Sequence, residues 1–202
     1  NTMKYFLVLI LIISLPCFSQ DYKTQLAAFR NTYKAEFLKD NHSPLNKSDL
    51  KLLRFYDADS TYRVTAKVEI LPFAPGFIMP VFSGTGREYT RYAVLEFLLK
   101  DQPVKLTVYR STALSGNPQY VDYLFLPFTD KTNGEDTYTG GRYIDLSVKD
   151  FANGMVIIDF NKAYNPYCAY SAGYSCPKPP DENKLDIKIE AGEKKFAGKK
   201  KH

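Results

Sequence analysis

Residues 155–193, MVIIDFNKAYNPYCAYSAGYSCPKPPDENKLDIKIEAGE, decide how the rest of the chain is read. Met155 to Phe160 is a short apolar, β-branched run behind Asn153-Gly154, which predicts a buried strand. Leu185, Ile187 and Ile189 alternate with Asp186, Lys188 and Glu190, which predicts a half-buried strand at the far end. Between them Asn161, Asn165-Pro166 and Gly173 interrupt regular structure, and Pro177, Pro179 and Pro180 forbid a helix. A strand, a long loop and a second strand, with no helical period, point to a β-rich fold. Loops beyond about 12–15 residues without structure of their own are usually functional or disordered. Tyr164, Tyr167, Tyr170 and Tyr174 favour order, as a surface loop packed by its own rings or as a wall of a ligand site.

Outward from this stretch, strands dominate. Val64, Ala66, Val68 and Ile70 alternate with Arg63, Thr65, Lys67 and Glu69. Tyr92–Leu99 and Val104–Tyr109 read as a hairpin turning at Asp101-Gln102, and Tyr123–Phe128 as a further apolar strand. Residues 71–80 hold three prolines and a glycine and read as a loop or irregular edge. Ahead of the strands, Tyr22, Leu26, Phe29, Tyr33 and Phe37 recur every three or four residues, so Asp21–Lys39 reads as an amphipathic helix whose stripe packs on the core. Ser48 is placed to cap a short second helical turn running to Leu53. Strands do not alternate with long helices, which argues against a doubly wound parallel sheet. The expected fold is mainly β, α+β: an antiparallel β-sandwich or barrel with an N-terminal amphipathic helix.

Charge and targeting narrow the setting. The formal net charge is +5. Lys4, Lys194, Lys195, Lys199, Lys200 and Lys201 account for that excess; without them the body carries 21 basic against 22 acidic side chains. Such a body lacks the basic face that holds phosphate backbones, so no nucleic-acid partner is expected. Met3-Lys4, the apolar run Tyr5–Leu15 and the small residues Cys17 and Ser19 form a secretory signal, too short to span a membrane. The expected organisation is a signal peptide over 1–19, one β-rich domain over 20–193 and a flexible basic tail over 194–202. The mature chain is then exported to the periplasm or the extracellular space without a transmembrane helix. Lipid attachment at Cys17 is the less favoured alternative, because Ser14-Leu15-Pro16 matches a lipoprotein signal poorly.

Cys168 and Cys176 are the two cysteines left in the mature chain, and in an exported protein such a pair is most simply a disulfide. The only histidines are His42 and His202, so neither a zinc site nor a Ser-His-Asp arrangement can be assembled. No metal or cofactor is expected. Any catalysis falls to carboxylates, with Asp130, Glu135, Asp145, Asp159, Glu182, Glu190 and Glu193 as candidates or, more plainly, as turn formers and ion-pair partners. Residues 130–135, DKTNGE, are as oxygen-rich as a calcium loop but lack its spacing.

Three runs, DFNKAYNPYCAY, CPKPPDENKLDIKIEAGEK and LPFTDKTNGEDTYTGGRYIDL, resemble an uncharacterised bacterial family known as domain of unknown function 1684. The resemblance is clear over the C-terminal half and implies no activity. From the residues alone, the expected role is small-molecule or glycan binding. The alternatives are a carboxylate-dependent hydrolase acting on glycans and a structural accessory domain without a pocket. The expected ligand set is Asp130, Thr132, Tyr138, Arg142, Asp145, Asp159, Asn161, Tyr164, Asn165, Glu182 and Asn183. It supposes that the strands starting at Arg142 and Met155 are neighbours, so that Tyr138, Arg142, Asp159, Asn161 and Tyr164 line one concavity.

Overall fold

A computed structural model describes residues 18–201, with side chains from Asp21 onward. The signal run and Cys17 fall in residues 1–17 and, like His202, lie outside the described residues. Helix α1 spans Phe18–Glu36. Its stripe turns inward as the periodicity requires: Leu26 and Phe37 are buried, and Tyr22, Phe29 and Tyr33 are half-buried. The short 3-10 turn Leu50–Leu52 takes Asp49, not Ser48, as its N-cap residue, and without a side-chain cap bond.

Seven strands follow: β1 Arg63–Ile70, β2 Gly76–Met79, β3 Arg87–Leu99, β4 Gln102–Ser111, β5 Tyr123–Phe128, β6 Arg142–Ser147 and β7 Met155–Asp159. A one-turn helix, α2 Thr112–Ser115, follows β4. The strands form a single antiparallel sheet in the order β6-β5-β4-β3-β1-β7, with β2 on β3, curled into a half-barrel. The β3–β4 hairpin turns on Lys100-Asp101, both at positive φ (49° and 62°), one residue before the turn read from sequence. Positive φ at both central residues is the primed geometry that matches strand twist.

The two faces of the sheet differ in chemistry. One is aliphatic and closes on itself as the main core, with Ala66, Ala93, Leu95, Leu106, Val108, Leu124, Leu126, Ile144 and Ile158 among its members. The other carries aromatic rings at the β6 side: Tyr89, Tyr109, Phe125 and Tyr143 with Met79, and Tyr123 and Tyr164 against them. A β-bulge between Arg91 and Ala93 makes this division possible on β3. Before it, Tyr89 and Arg91 pair with Ser111 and Tyr109; after it, Ala93 and Leu95 pair with Val108 and Leu106. The extra residue reverses which face the odd-numbered side chains take, so one strand serves both surfaces.

Several expectations need correction. Residues 185–189 are not a strand. Leu185 and Ile189 are buried, so the alternation is real, but the backbone bonds loops instead of a ladder: Leu185 N–H donates to Thr129 O and Lys131 N–H to Ile187 O. Strand β7 is an edge strand, with Met155 and Ile157 exposed while Val156 and Ile158 are buried. Finally, β6 and β7 stand at opposite ends of the sheet path, so the supposed strand pair near Arg142 does not exist. Residues 194–201 also have a seat on the body. Lys194, Lys195, Ala197 and Lys201 donate backbone bonds to Arg54, Asp136, Leu52 and Tyr170, and Phe196 packs edge-on to Tyr170 at 5.3 Å. This differs from the free basic end expected from composition.

Candidate functional site

Most of the expected ligand residues are occupied with one another. Asp130 and Arg142 form an ion pair at 2.8 Å with both side chains fully buried. The second Asp130 oxygen accepts from Thr132 N and Oγ1 and from Ile189 N. The guanidinium donates to the carbonyls of Ile189, Ala191 and Glu193 and lies over the Phe128 ring. Thr132 Oγ1 is 2.8 Å from Thr137 Oγ1, closing the turn. The oxygen-rich loop thus has its cation already, supplied by Arg142. The same side chain holds the carbonyls of residues 189–193, which explains why that segment needs no sheet. Arg142 has no surface left for a ligand.

The remaining polar residues act likewise. Asn183 exchanges bonds with Thr107 N and O and donates to Pro127 O, clamping its loop to β4 and β5. Asn161 pairs through its amide with Asp59 N and O. Asp159 accepts from Asn161 N and from the Tyr22 hydroxyl, tying α1 to the sheet. Glu182 accepts from Arg91 and Tyr109, and the Tyr138 hydroxyl donates to Cys168 O. Asn165 donates from its amide to Lys194 O and from its backbone N–H to Glu193. None of these nine lines the concavity described next, which includes only Asp145 and Tyr164 from the expected set.

That concavity, about 650 Å³, lies between the aromatic face of the sheet, α1 and the disulfide loop. The expectation of a domain without a pocket therefore does not hold. Phe29, Tyr33 and Glu36 come from α1 and Phe37 from the residue after it; Arg87, Tyr89, Tyr123, Phe125, Tyr143 and Asp145 from the sheet; Lys162, Tyr164, Tyr167, Tyr174 and Cys176 from the chain after β7. Cys168 and Cys176 form the expected disulfide, with Cα atoms 6.2 Å apart, and so fix the rim. The helix stripe read as core packing is thus also a pocket wall.

Asp145 is one of four charged side chains on this surface, with Glu36, Arg87 and Lys162. It faces the rings because β6 alternates: Arg142, Ile144 and Leu146 turn to the other face, Tyr143 and Asp145 to this one. Its Oδ1 accepts from Tyr123 at 2.8 Å and Tyr164 at 2.6 Å. Its Oδ2 has no protein partner among the described residues. Asp145 is exposed to solvent, although neighbouring protein crowds its carboxyl. Desolvation raises its pKa, the two phenol bonds pull it down, and the charge of Glu36 pushes it up again. Sequence reasoning named Asp145 and Tyr164 but missed Tyr123, Phe125 and the helix residues. The signal for Tyr123 and Phe125 was present, since both occupy alternate positions of a predicted strand.

Behind the pocket wall sits a second carboxyl with a different role. Glu193 is fully buried and accepts from Tyr170 at 2.7 Å, Tyr33 at 2.9 Å and Asn165 N at 2.9 Å. Burial pushes its pKa up to about 7, against the pull of those bonds. It locks α1, the loop and the C-terminal strap together.

A search of curated proteins returned no match. Among solved structures, the chain is similar to the solution NMR structure of an uncharacterised protein from Haloarcula marismortui. The two are 33% identical; the match covers 87% of this chain and 95% of that one, with a TM-score of 0.67. The model of the family described as "Protein of unknown function (DUF1684)" matches residues 48–194, and the chain belongs to that family.

Proposed function

We propose that the chain is a small-molecule-binding domain whose ligand sits in the aromatic concavity and bonds to Asp145. One observation carries the reading: a carboxylate lining a ring-rich hollow has one oxygen without a protein partner among the described residues. The volume of about 650 Å³ falls within the range of ordinary ligand sites. The ligand needs an apolar face for the rings and a hydrogen-bond donor for Oδ2. Screening a metabolite and oligosaccharide library by NMR tests this. Hits should shift resonances of Tyr123, Phe125, Tyr143 and Tyr164, and Asp145→Asn should weaken them about tenfold, the scale of a bond to a charged group. Hits that map elsewhere on the sheet contradict the reading.

The hydrolase reading keeps a foothold because Glu36 and Asp145 both line the concavity and the Asp145 carboxyl is held above its usual range. Hydrolysis of aryl glycosides, lost in both Glu36→Gln and Asp145→Asn, would establish it. We place the binding reading first because both phenols bond one oxygen of Asp145 as positioning donors. Export through the residue 1–19 signal belongs to the same proposal and is supported by the disulfide, a bond of oxidising compartments. N-terminal sequencing of secreted material tests it.

A further inference from the structure

Glu193 is a fully buried carboxyl that the concavity does not use, yet it is fastened to the concavity's wall. Its oxygens are met by donors from two other parts of the chain. Oε2 accepts from the Tyr33 hydroxyl of α1 and from the Asn165 N–H, and Oε1 accepts from the Tyr170 hydroxyl. None of these donors carries a positive charge. The Tyr33 and Tyr170 hydroxyls are themselves 3.1 Å apart. From β6, Arg142 reaches only the Glu193 backbone carbonyl, and its charge is paired with Asp130. Lys194, next in the strap, turns its ammonium over the Tyr56 ring at 4.4 Å. Phe55, bridged to Glu193 through the backbone, is apolar. A neutral acid suits such a seat, because either hydroxyl can turn to accept its proton. A carboxylate there is a buried charge without a counter-ion.

The consequence of ionisation falls on the end of α1. Tyr33 lines the concavity, and its ring stands 5.9 Å from that of Tyr164, whose hydroxyl bonds Asp145. Earlier turns of the helix have ties of their own, Tyr22 to Asp159 and Arg30 to the Tyr56 carbonyl. The last turn is joined to the loop by Tyr33 and, just beyond the helix, by two bonds at the surface, Tyr167 to Asp40 and Tyr174 to the His42 carbonyl. Water reaches the Glu193 carboxyl when that turn lifts. Burial already holds its pKa up at about 7, so the charge forms near neutral pH.

Resting on the binding reading for its purpose but not for its test, we propose that Glu193 is a proton-operated latch on the concavity: protonated, it seats the last turn of α1 as a wall; ionised, it releases that turn.

Hydrogen exchange of the full chain, followed by NMR from pH 5 to pH 8 and corrected for the intrinsic pH dependence of exchange, reads this residue by residue. The opening constant of residues 33–37 should rise at least about tenfold over that range, because the lifted carboxyl titrates as an ordinary one. Those residues should also open more often than the β3 and β4 amides at every pH. Glu193→Gln, shown to be folded by its melting curve, should hold them at a low level that does not change with pH. Tyr33→Phe leaves the carboxyl with Tyr170 and Asn165 but cuts its tie to the helix, so it should raise opening already at pH 5. A wild-type opening that is flat with pH overturns the latch, and so does a rise that Glu193→Gln retains. Exchange of residues 33–37 in step with β3 and β4 overturns it as well, and leaves only an effect on overall stability. A Tyr33→Phe chain as protected as wild type at pH 5 has the same force. None of these readouts uses a ligand, so a failed latch and a failed binding reading are told apart.

Discussion

Arg142, Asp145 and Glu193 show how similar-looking polar residues divide into different tasks. Arg142 and Asp130 are a buried pair, and removing one member leaves the other charged and dry. Arg142→Met is expected to cost about 3–5 kcal/mol in urea unfolding, and a paired Asp130→Leu to recover part of it. Glu193 makes stability depend on pH. Its pKa rises from an ordinary 4.5 to about 7 on folding, so the folded state holds an extra proton between those values. Its contribution is complete below the lower value and is lost as pH rises through the upper one, by about 3 kcal/mol in all. Groups facing it are the Tyr33 and Tyr170 hydroxyls and the Asn165 N–H. Melting temperature should fall from pH 5 to pH 8, and Glu193→Gln should flatten that slope; a wild-type curve that rises over the window contradicts the account. The sequence showed that polar and aromatic residues crowd two segments. It did not show which carboxylates find partners within the chain, because buried polar groups must be satisfied whether or not they serve a ligand.

At the level of elements, strand alternation was legible wherever parity held. Residues 63–70, 104–109 and 123–128 were all read as strands. The bulge between Arg91 and Ala93 broke the parity of β3, so its first half, which carries Tyr89, was not read as strand. Residues 185–189 alternate because one side faces the core, a requirement that a loop strapped across a half-barrel shares with a strand. Two glycines allow that strap to pass close to its neighbours. A Cβ on Gly141 would fall 2.6 Å from Phe128 O, and one on Gly192 2.7 Å from the carbonyls of Phe160 and Ala163, both at positive φ. Gly192→Ala is therefore expected to destabilise by about 2–3 kcal/mol, measured by denaturant unfolding, whereas Gly154→Ala, with open space around it, should cost less. The Cys168–Cys176 bridge closes a short loop, so replacing both with Ala should cost about 2–3 kcal/mol and loosen the pocket rim.

For the molecule as a whole, the sheet supplies the floor of the site, and α1 and the disulfide loop supply its walls. The family match begins at residue 48, so the helical wall lies outside the matched region while the sheet floor lies within it. Deleting residues 18–40 should leave the aliphatic core intact but expose Phe125 and Tyr143, seen as dye binding and loss of ligand. The fold class was readable because its evidence is local and repeated along the chain. The pocket was not, because it joins residues from helix, sheet and loop that no spacing connects. The most direct test of this account is a carbon-detected NMR titration of the Asp145 carboxyl. The account predicts a midpoint above the ordinary aspartate value of about 3.9, shifting when a hit from the ligand screen is added. A midpoint at or below the ordinary value, unmoved by any hit, would contradict it.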